Sequence, residues 1–236
     1  MTRETHPPQR GSFITIDGPE GSGKTTQAGR LETYLRDGGL DVLRTREPGG
    51  TRLGERLRDI LLASGPVSPS GVEIDPLTDA LLFNTARRQL VEEVIRPAIA
   101  RGTTVVCARY ADSTLAYQGY GAGIPLADLR EIESIATGGL RPDLTILLDV
   151  PPEIGLRRKA PDDQTRFELA FDIGFHRRVR DGFLALAARE PERFVVVDAT
   201  QSREAVWSEV QAAADSLRAG RTIGGEPERR PERIER

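Results

Sequence analysis

Three residue types that often carry chemistry are scarce in this chain. One cysteine, Cys107, in 236 residues excludes an internal disulfide framework and points to a reducing compartment, with the cytoplasm as the default. The two histidines, His6 and His176, fall in a polar N-terminal stretch and in a predicted helix, so histidine-based catalysis has little support. Lysine occurs only at Lys24 and Lys159, although Lys and Arg together number 33. No apolar run approaches the roughly 20 residues of a membrane span, and the N-terminus lacks the apolar core of a signal peptide. Neither a membrane nor export is expected. A net charge of −3 leaves no basic excess for a nucleic-acid scaffold. What is present, 38% hydrophobic and 29% charged residues, suits one globular domain able to bury a core.

The chain is organised around residues 12 to 26. A short β-branched run, Ser12 to Asp17, empties into Gly18-Pro19-Glu20-Gly21-Ser22-Gly23-Lys24-Thr25-Thr26. The pattern Gly-x-x-x-x-Gly-Lys-Thr after a strand is a phosphate cradle. Glycines tolerate the bend that turns successive N–H groups inward and the close approach of anionic oxygens. Lys24 can reach the β- and γ-phosphates of a nucleotide, Thr25 offers a hydroxyl to Mg²⁺, and the following helix turns its positive end to the charge. A plain glycine turn with an exposed lysine is the bland alternative. Against it, a chain that otherwise takes arginine keeps a compact ammonium here.

The hydrophobic pattern alternates strands and helices along the domain. Strands are predicted at Ser12–Asp17, Asp41–Thr45, Thr103–Ala108, Leu144–Val150 and Phe194–Asp198. Helices are predicted at Thr25–Arg36, around Leu53–Leu61, at Leu77–Arg101 with a kink at Pro97, and at Leu126–Ala136, Glu153–Lys159, Phe175–Arg189 and Arg203–Leu217. Ser64 to Asp75 reads as a loop. Residues 1–10 and 219–236 read as loose tails around one domain, 11–218. This order implies an α/β fold with a parallel sheet, helices on both faces, and ligands at the carboxyl ends of the strands.

Polar clusters follow the predicted strands: Arg46-Glu47-Pro48-Gly49-Gly50-Thr51, Arg109-Tyr110-Ala111-Asp112-Ser113, and Asp149. The first is more specialised than a plain turn needs. Phe83 and Arg87 stand four apart on one helix face, where spacing alone favours a core phenylalanine beside a surface arginine. The charge-rich stretch Arg157 to Arg166 reads either as a solvated loop or as a lid that closes cations over phosphates.

Taken together, the phosphate loop, Thr45-Arg-Glu-Pro-Gly-Gly-Thr51, Leu82-Phe83 with Arg87 and Gln89, and Arg109-Tyr110 with Asp112-Ser-Thr-Leu-Ala-Tyr-Gln-Gly119 resemble bacterial thymidylate kinases over roughly residues 12 to 200. The resemblance implies a P-loop nucleoside monophosphate kinase fold, transfer of phosphate from ATP to dTMP with Mg²⁺, and a homodimer. It places the loop residues 18–26 on ATP, Thr25 on the metal, and Glu20 at the deoxyribose 3′-hydroxyl. Phe83 would stack on thymine, Arg87 would bond its edge, and Arg58 and Arg109 would hold the acceptor phosphate. Tyr117 would fill the space of a ribose 2′-hydroxyl, with Glu47, Ser113 and Gln118 also at dTMP. Lys24 and Arg109 are the expected catalytic cations, joined by a transition-state arginine from a lid at about 157–170, Arg158 or Arg166.

Two departures stand out. The family commonly has aspartate before the Arg-Tyr pair, where this chain has Ala108, and the lid reads Thr165-Arg166-Phe167-Glu168 rather than Asp-Arg before an apolar-Glu pair. Another small-molecule kinase of the same fold is the nearest rival. A GTP-dependent switch would need an Asn-Lys-x-Asp sequence, and the only asparagine, Asn84, precedes Thr85.

Overall fold

The computed structural model describes residues 10–62, 74–160 and 164–220. The two predicted tails, apart from Arg10, Ala219 and Gly220, lie outside these residues, as do most of the predicted loop at Ser64 to Asp75 and residues 161–163 of the predicted lid.

Five strands form one parallel sheet in the order β2-β3-β1-β4-β5. They are β1 (Phe13–Asp17), β2 (Val42–Arg46), β3 (Thr104–Ala108), β4 (Leu144–Asp149) and β5 (Phe194–Asp198), all within two residues of their predicted ends. Every residue of β1 is buried, because helices cover both faces of the sheet centre. The period of two decides the packing. Ile14, Ile16, Val106, Ile146 and Leu148 point to the side of helices α1 (Lys24–Asp37) and α10 (Arg203–Arg218). Phe13, Val105 and Cys107 point the other way, into a second cluster with Leu90, Ile95 and Tyr110. Running out from the central β1, the order reverses, and that switch point opens a crevice at the carboxyl ends of β1 and β3.

The remaining helices are α2 (Arg52–Leu62), α3 (Pro76–Leu90), α4 (Arg96–Ala100), α5 (Ala111–Thr114), α6 (Leu126–Thr137), α7 (Pro152–Arg158), α8 (Arg166–Ala170) and α9 (Ile173–Arg189). The long helix expected over Leu77–Arg101 is interrupted earlier than the proline suggested. A π-helical stretch, Val91–Ile95, joins α3 to α4, and the N–H of Arg96 reaches back five residues to the Val91 carbonyl. Pro97 brings no N–H and its ring would crowd the carbonyl four residues back, so the wider turn before it relieves the conflict.

The predicted polar cluster ends at Ser113 and no element is predicted before Leu126, yet residues 111–121 are helical. After α5, Leu115–Gly121 is a second π-helical stretch. Its glycines serve packing. A Cβ on Gly121 would meet the Phe175 ring at 2.7 Å, and one on Gly182 would meet Tyr120 at 2.6 Å, so α9 lies hard against this stretch and fixes its position.

Candidate active site

The loops after β1, β2 and β3 converge with α3 and the α7–α8 segment on one cavity of about 290 Å³. The phosphate loop forms one wall. Gly18, Gly21 and Gly23 have φ of 141°, 67° and 93°, the left-handed side that favours glycine, so the backbone folds round the Lys24 side chain. Lys24 Nζ donates to the carbonyls of Gly18 (3.0 Å) and Pro19 (2.6 Å) and to Ser22 Oγ (3.2 Å). Desolvation, followed by the neighbouring Arg109 charge, pulls the Lys24 ammonium down to about 7 against the attraction of Glu20 and Asp17.

The site's centre is built on strain. Arg109 is the one non-glycine residue with positive φ among those described, at 67°, and this turn aims its guanidinium back at the phosphate loop. Nη2 donates to Glu20 Oε1 (2.6 Å) and to the Tyr117 hydroxyl (3.1 Å), while Tyr117 donates to the same Glu20 oxygen at 2.8 Å. Burial acts to raise Glu20, but Arg109, Lys24 and Lys159 outweigh it and hold the carboxylate well below its usual range. Tyr117 is buried edge-on to Phe167, with ring centroids 5.3 Å apart, and Phe83 lies 6.2 Å from the same ring, so an apolar slot adjoins the charged centre.

Behind the slot, Arg87 is 1% exposed rather than the surface arginine that spacing suggested. Nε donates to Glu47 Oε2 (2.8 Å), Nη1 to Asn84 Oδ1 (2.8 Å) and Thr114 Oγ1 (3.1 Å), and Nη2 to the Tyr110 carbonyl (3.0 Å). The guanidinium is thus committed inside the protein, and it fixes Glu47 and Thr114 at the cavity wall. Burial raises Glu47 to about 7, with Arg87 opposing. Arg58 also lines the cavity, held by a bond from Nη1 to the Pro48 carbonyl at 2.9 Å.

Glu20, Gly21, Gly23, Lys24, Thr25, Thr26, Glu47, Arg58, Phe83, Arg87, Arg109, Ser113, Tyr117 and Gln118 all line this one cavity. Gly18, Pro19 and Ser22 stand just behind, as acceptors for Lys24. The two lid arginines do not join them. Arg158 Nη1 turns to the Ala199 carbonyl (2.7 Å), and Arg166 turns to the Leu61 carbonyl (2.5 Å) and the Asp79 carboxylate. The cation that this segment sends into the cavity is Lys159, which pairs with Glu168 and lies 3.7 Å from Glu20 Oε2. Its signal in the sequence was rarity, since it is one of two lysines.

Asp17 and Asp112 are the two aspartates that the sequence offers in place of a carboxylate at 108; Asp112 pairs with Arg193, and Asp17 stands beside the phosphate loop. Asp17 Oδ1 accepts from Ser113 Oγ at 2.5 Å, while Oδ2 is buried with no partner among the described residues. Burial and then the Asp112 charge raise it to about 6. An orphaned carboxylate oxygen beside a phosphate loop suits a divalent cation or one of its waters, and Thr25 presents its hydroxyl at the exposed start of α1. No cluster of three or more His, Cys, Asp or Glu side chains suited to a metal occurs among the described residues, so a cation here would take most of its ligands from phosphate and water.

The family profile described as thymidylate kinase matches residues 16–210, from the end of β1 to the middle of α10. A thymidylate kinase of Deinococcus radiodurans is 54% identical over 205 residues, covering 86% of this chain and 96% of that protein. One from Thermomicrobium roseum is 53% identical over 204 residues, covering 84% and 93% respectively. A crystal structure of thymidylate kinase from Ehrlichia chaffeensis superposes with a TM-score of 0.69 at 33% identity, covering 87% of this chain and 99% of that one. With both the matched stretch and the shared fold running through every element that shapes the cavity, the chain belongs to the thymidylate kinase family.

Proposed function

We propose that the cavity binds dTMP in its apolar slot and ATP along the phosphate loop, and that its cations carry a phosphoryl group between them. The observation that supports this most directly is the Arg109–Glu20–Tyr117 cluster, which joins a phosphate cradle on one side to an aromatic slot on the other. Phosphoryl transfer between two anions needs positioning and charge neutralisation more than covalent chemistry. Lys24 and the loop amides take the ATP phosphates, and Arg58 and Arg109 take the dTMP phosphate. Phe83 and Phe167 enclose the base, and Glu20 with Tyr117 meets the deoxyribose. Lys159 closes from the α7–α8 side. Mg²⁺, when bound, neutralises phosphate charge, and Thr25 and Asp17 would hold it.

A homodimer in the cytoplasm completes the reading. Leu77 and Leu81, one turn apart on α3, are 45% and 46% exposed, and Leu53 and Ile60 are exposed on the packed neighbour α2, which gives a second copy an apolar surface to cover. No helix among the described residues is long and apolar enough to cross a membrane. An ADP-release assay with dTMP, dUMP, dGMP and thymidine tests the reaction. We expect dTMP to be preferred, and equal or faster turnover of thymidine or dGMP overturns the reading.

Ala108 supplies a prediction on the metal. It lines the cavity at the end of β3, where a methyl group can neither ligate a cation nor brace Arg109. Ala108→Asp should therefore lower the Mg²⁺ concentration that half-saturates kcat by severalfold, because a second carboxylate joins Asp17. Superimposable Mg²⁺ titrations of the two proteins would show that Asp17 alone suffices.

A further inference from the structure

Gln118, at the end of the slot, is 4% exposed and lines the cavity. Its Nε2 donates to Asp79 Oδ2 at 2.8 Å. Oε1 accepts from no donor among the described residues and is not sealed from solvent, so it opens on the cavity that Gln118 lines. Asp79 is itself buried, 5% exposed, on the first turns of α3, and its other oxygen accepts from the Arg166 guanidinium. An ionised carboxylate can only accept, so it admits just one of the two orientations of the amide.

We propose that Asp79 is a specificity-determining residue: it locks the Gln118 amide with its carbonyl toward the base, and so selects pyrimidines that carry a hydrogen on N3. The proposal rests on the reading of the slot as the dTMP site. Thymine and uracil present N3–H, which Oε1 accepts, whereas cytosine presents a lone pair at N3, which Oε1 opposes. To receive cytosine the amide would have to turn over, and its oxygen would then face the Asp79 carboxylate. A buried acceptor against a buried acceptor is the kind of unpaired contact that gives strong discrimination. Arg166 takes a different role from the one expected of a lid arginine. Burial pushes the Asp79 carboxyl up and the Arg166 guanidinium opposes that push as its counter-ion, reaching across from α8, so the orientation of the amide depends on α8 being docked.

The test compares kcat/KM for dTMP and for 5-methyl-dCMP, which differ only in the 4-oxo, N3–H against 4-amino, N3 pattern. Asparagine at 79 can donate or accept, so Asp79→Asn frees the amide to turn, and the dTMP preference is expected to fall at least about tenfold. A purely structural role would slow both substrates alike, and a ratio within about twofold of the unmodified enzyme overturns the proposal. Should Asp79→Asn not fold, Asp79→Ser, whose hydroxyl also donates or accepts, is read by the same ratio. Gln118→Met separates the premise from the proposal. A lower ratio in Gln118→Met with an unchanged ratio in Asp79→Asn keeps Gln118 as the base contact but removes Asp79 as its orienter. An unchanged ratio in Gln118→Met removes both, while dTMP phosphorylation itself stands on the wild-type assay.

Discussion

Lys24→Met should lower kcat at least about 100-fold while the protein keeps its fold, the scale seen when one preorganised electrostatic group is lost from a transition state. The ammonium is the only lysine of the phosphate loop, and three loop oxygens already hold it in place without a nucleotide. Its position is thus set before phosphate arrives, and no reorganisation is needed when charge develops on the transferring group. Stability should follow a different course from activity. The folded pKa of Lys24 lies near 7, below the ordinary 10.5, because burial and Arg109 disfavour the charged form. Between about pH 7 and 10.5 the unfolded chain therefore binds the extra proton, and this group makes the empty enzyme gain stability as pH rises through that window. Lys24→Met removes that contribution, so its melting temperature should match or exceed that of the parent near pH 7. Thermal melts from pH 6.5 to 9.5, run beside steady-state kinetics, check both halves. Near-normal turnover in a folded Lys24→Met protein would end the assignment of the loop lysine to phosphate charge.

Much of this site was legible before any coordinates, for a physical reason. Glycines at 18, 21 and 23 are needed for positive φ, and the buried strand before them reads as an apolar run, so the phosphate loop announces itself in composition. The three central strands were equally plain, because both faces of the sheet centre are covered. The 111–121 segment was not, because four of its residues are Gly or Ala, at 111, 116, 119 and 121, and its helical form depends on α9 and α6 packing against it rather than on its own periodicity. Spacing alone favours a surface position for Arg87 for a related reason, whereas the resemblance puts it at the base. Four-residue spacing to Phe83 says that the two share a face, but only Glu47, forty residues away, makes burial of the guanidinium tolerable. The lid was the least legible part. Sequence identifies a run of cations from Arg157 to Arg166 but not which of them the backbone turns inward.

What turns Lys159 inward is a contact between two backbones, and it leads to the second large effect. A Cβ on Gly21 would lie 1.9 Å from the Gly155 carbonyl oxygen, and one on Gly155 would lie 2.1 Å from that of Glu20, so α7 is seated directly on the phosphate loop with no side chain between. Lys159 leaves the end of α7 one turn beyond this seat, and Glu168 and Glu20 hold its ammonium over the cavity. Both carboxylates are replaceable partners, because a dianionic phosphate in the cavity offers the ammonium more charge than either. Cations brought to a transferring phosphoryl group from outside the phosphate loop contribute on the order of 10³-fold or more in related chemistry. Lys159→Ala should accordingly reduce kcat by at least about 100-fold with a smaller change in the KM for dTMP, since the contact forms chiefly as charge spreads in the transition state. Arg158→Ala, which loses a bond to the Ala199 carbonyl, should cost less than about tenfold, well below the loss of a transition-state donor. Steady-state kinetics of the two variants, with melting curves to show that each is folded, make the comparison. If Arg158→Ala proved the more damaging, the cation over the reacting phosphates would be Arg158, and α7 would have to rotate on its Gly155 seat when substrates bind.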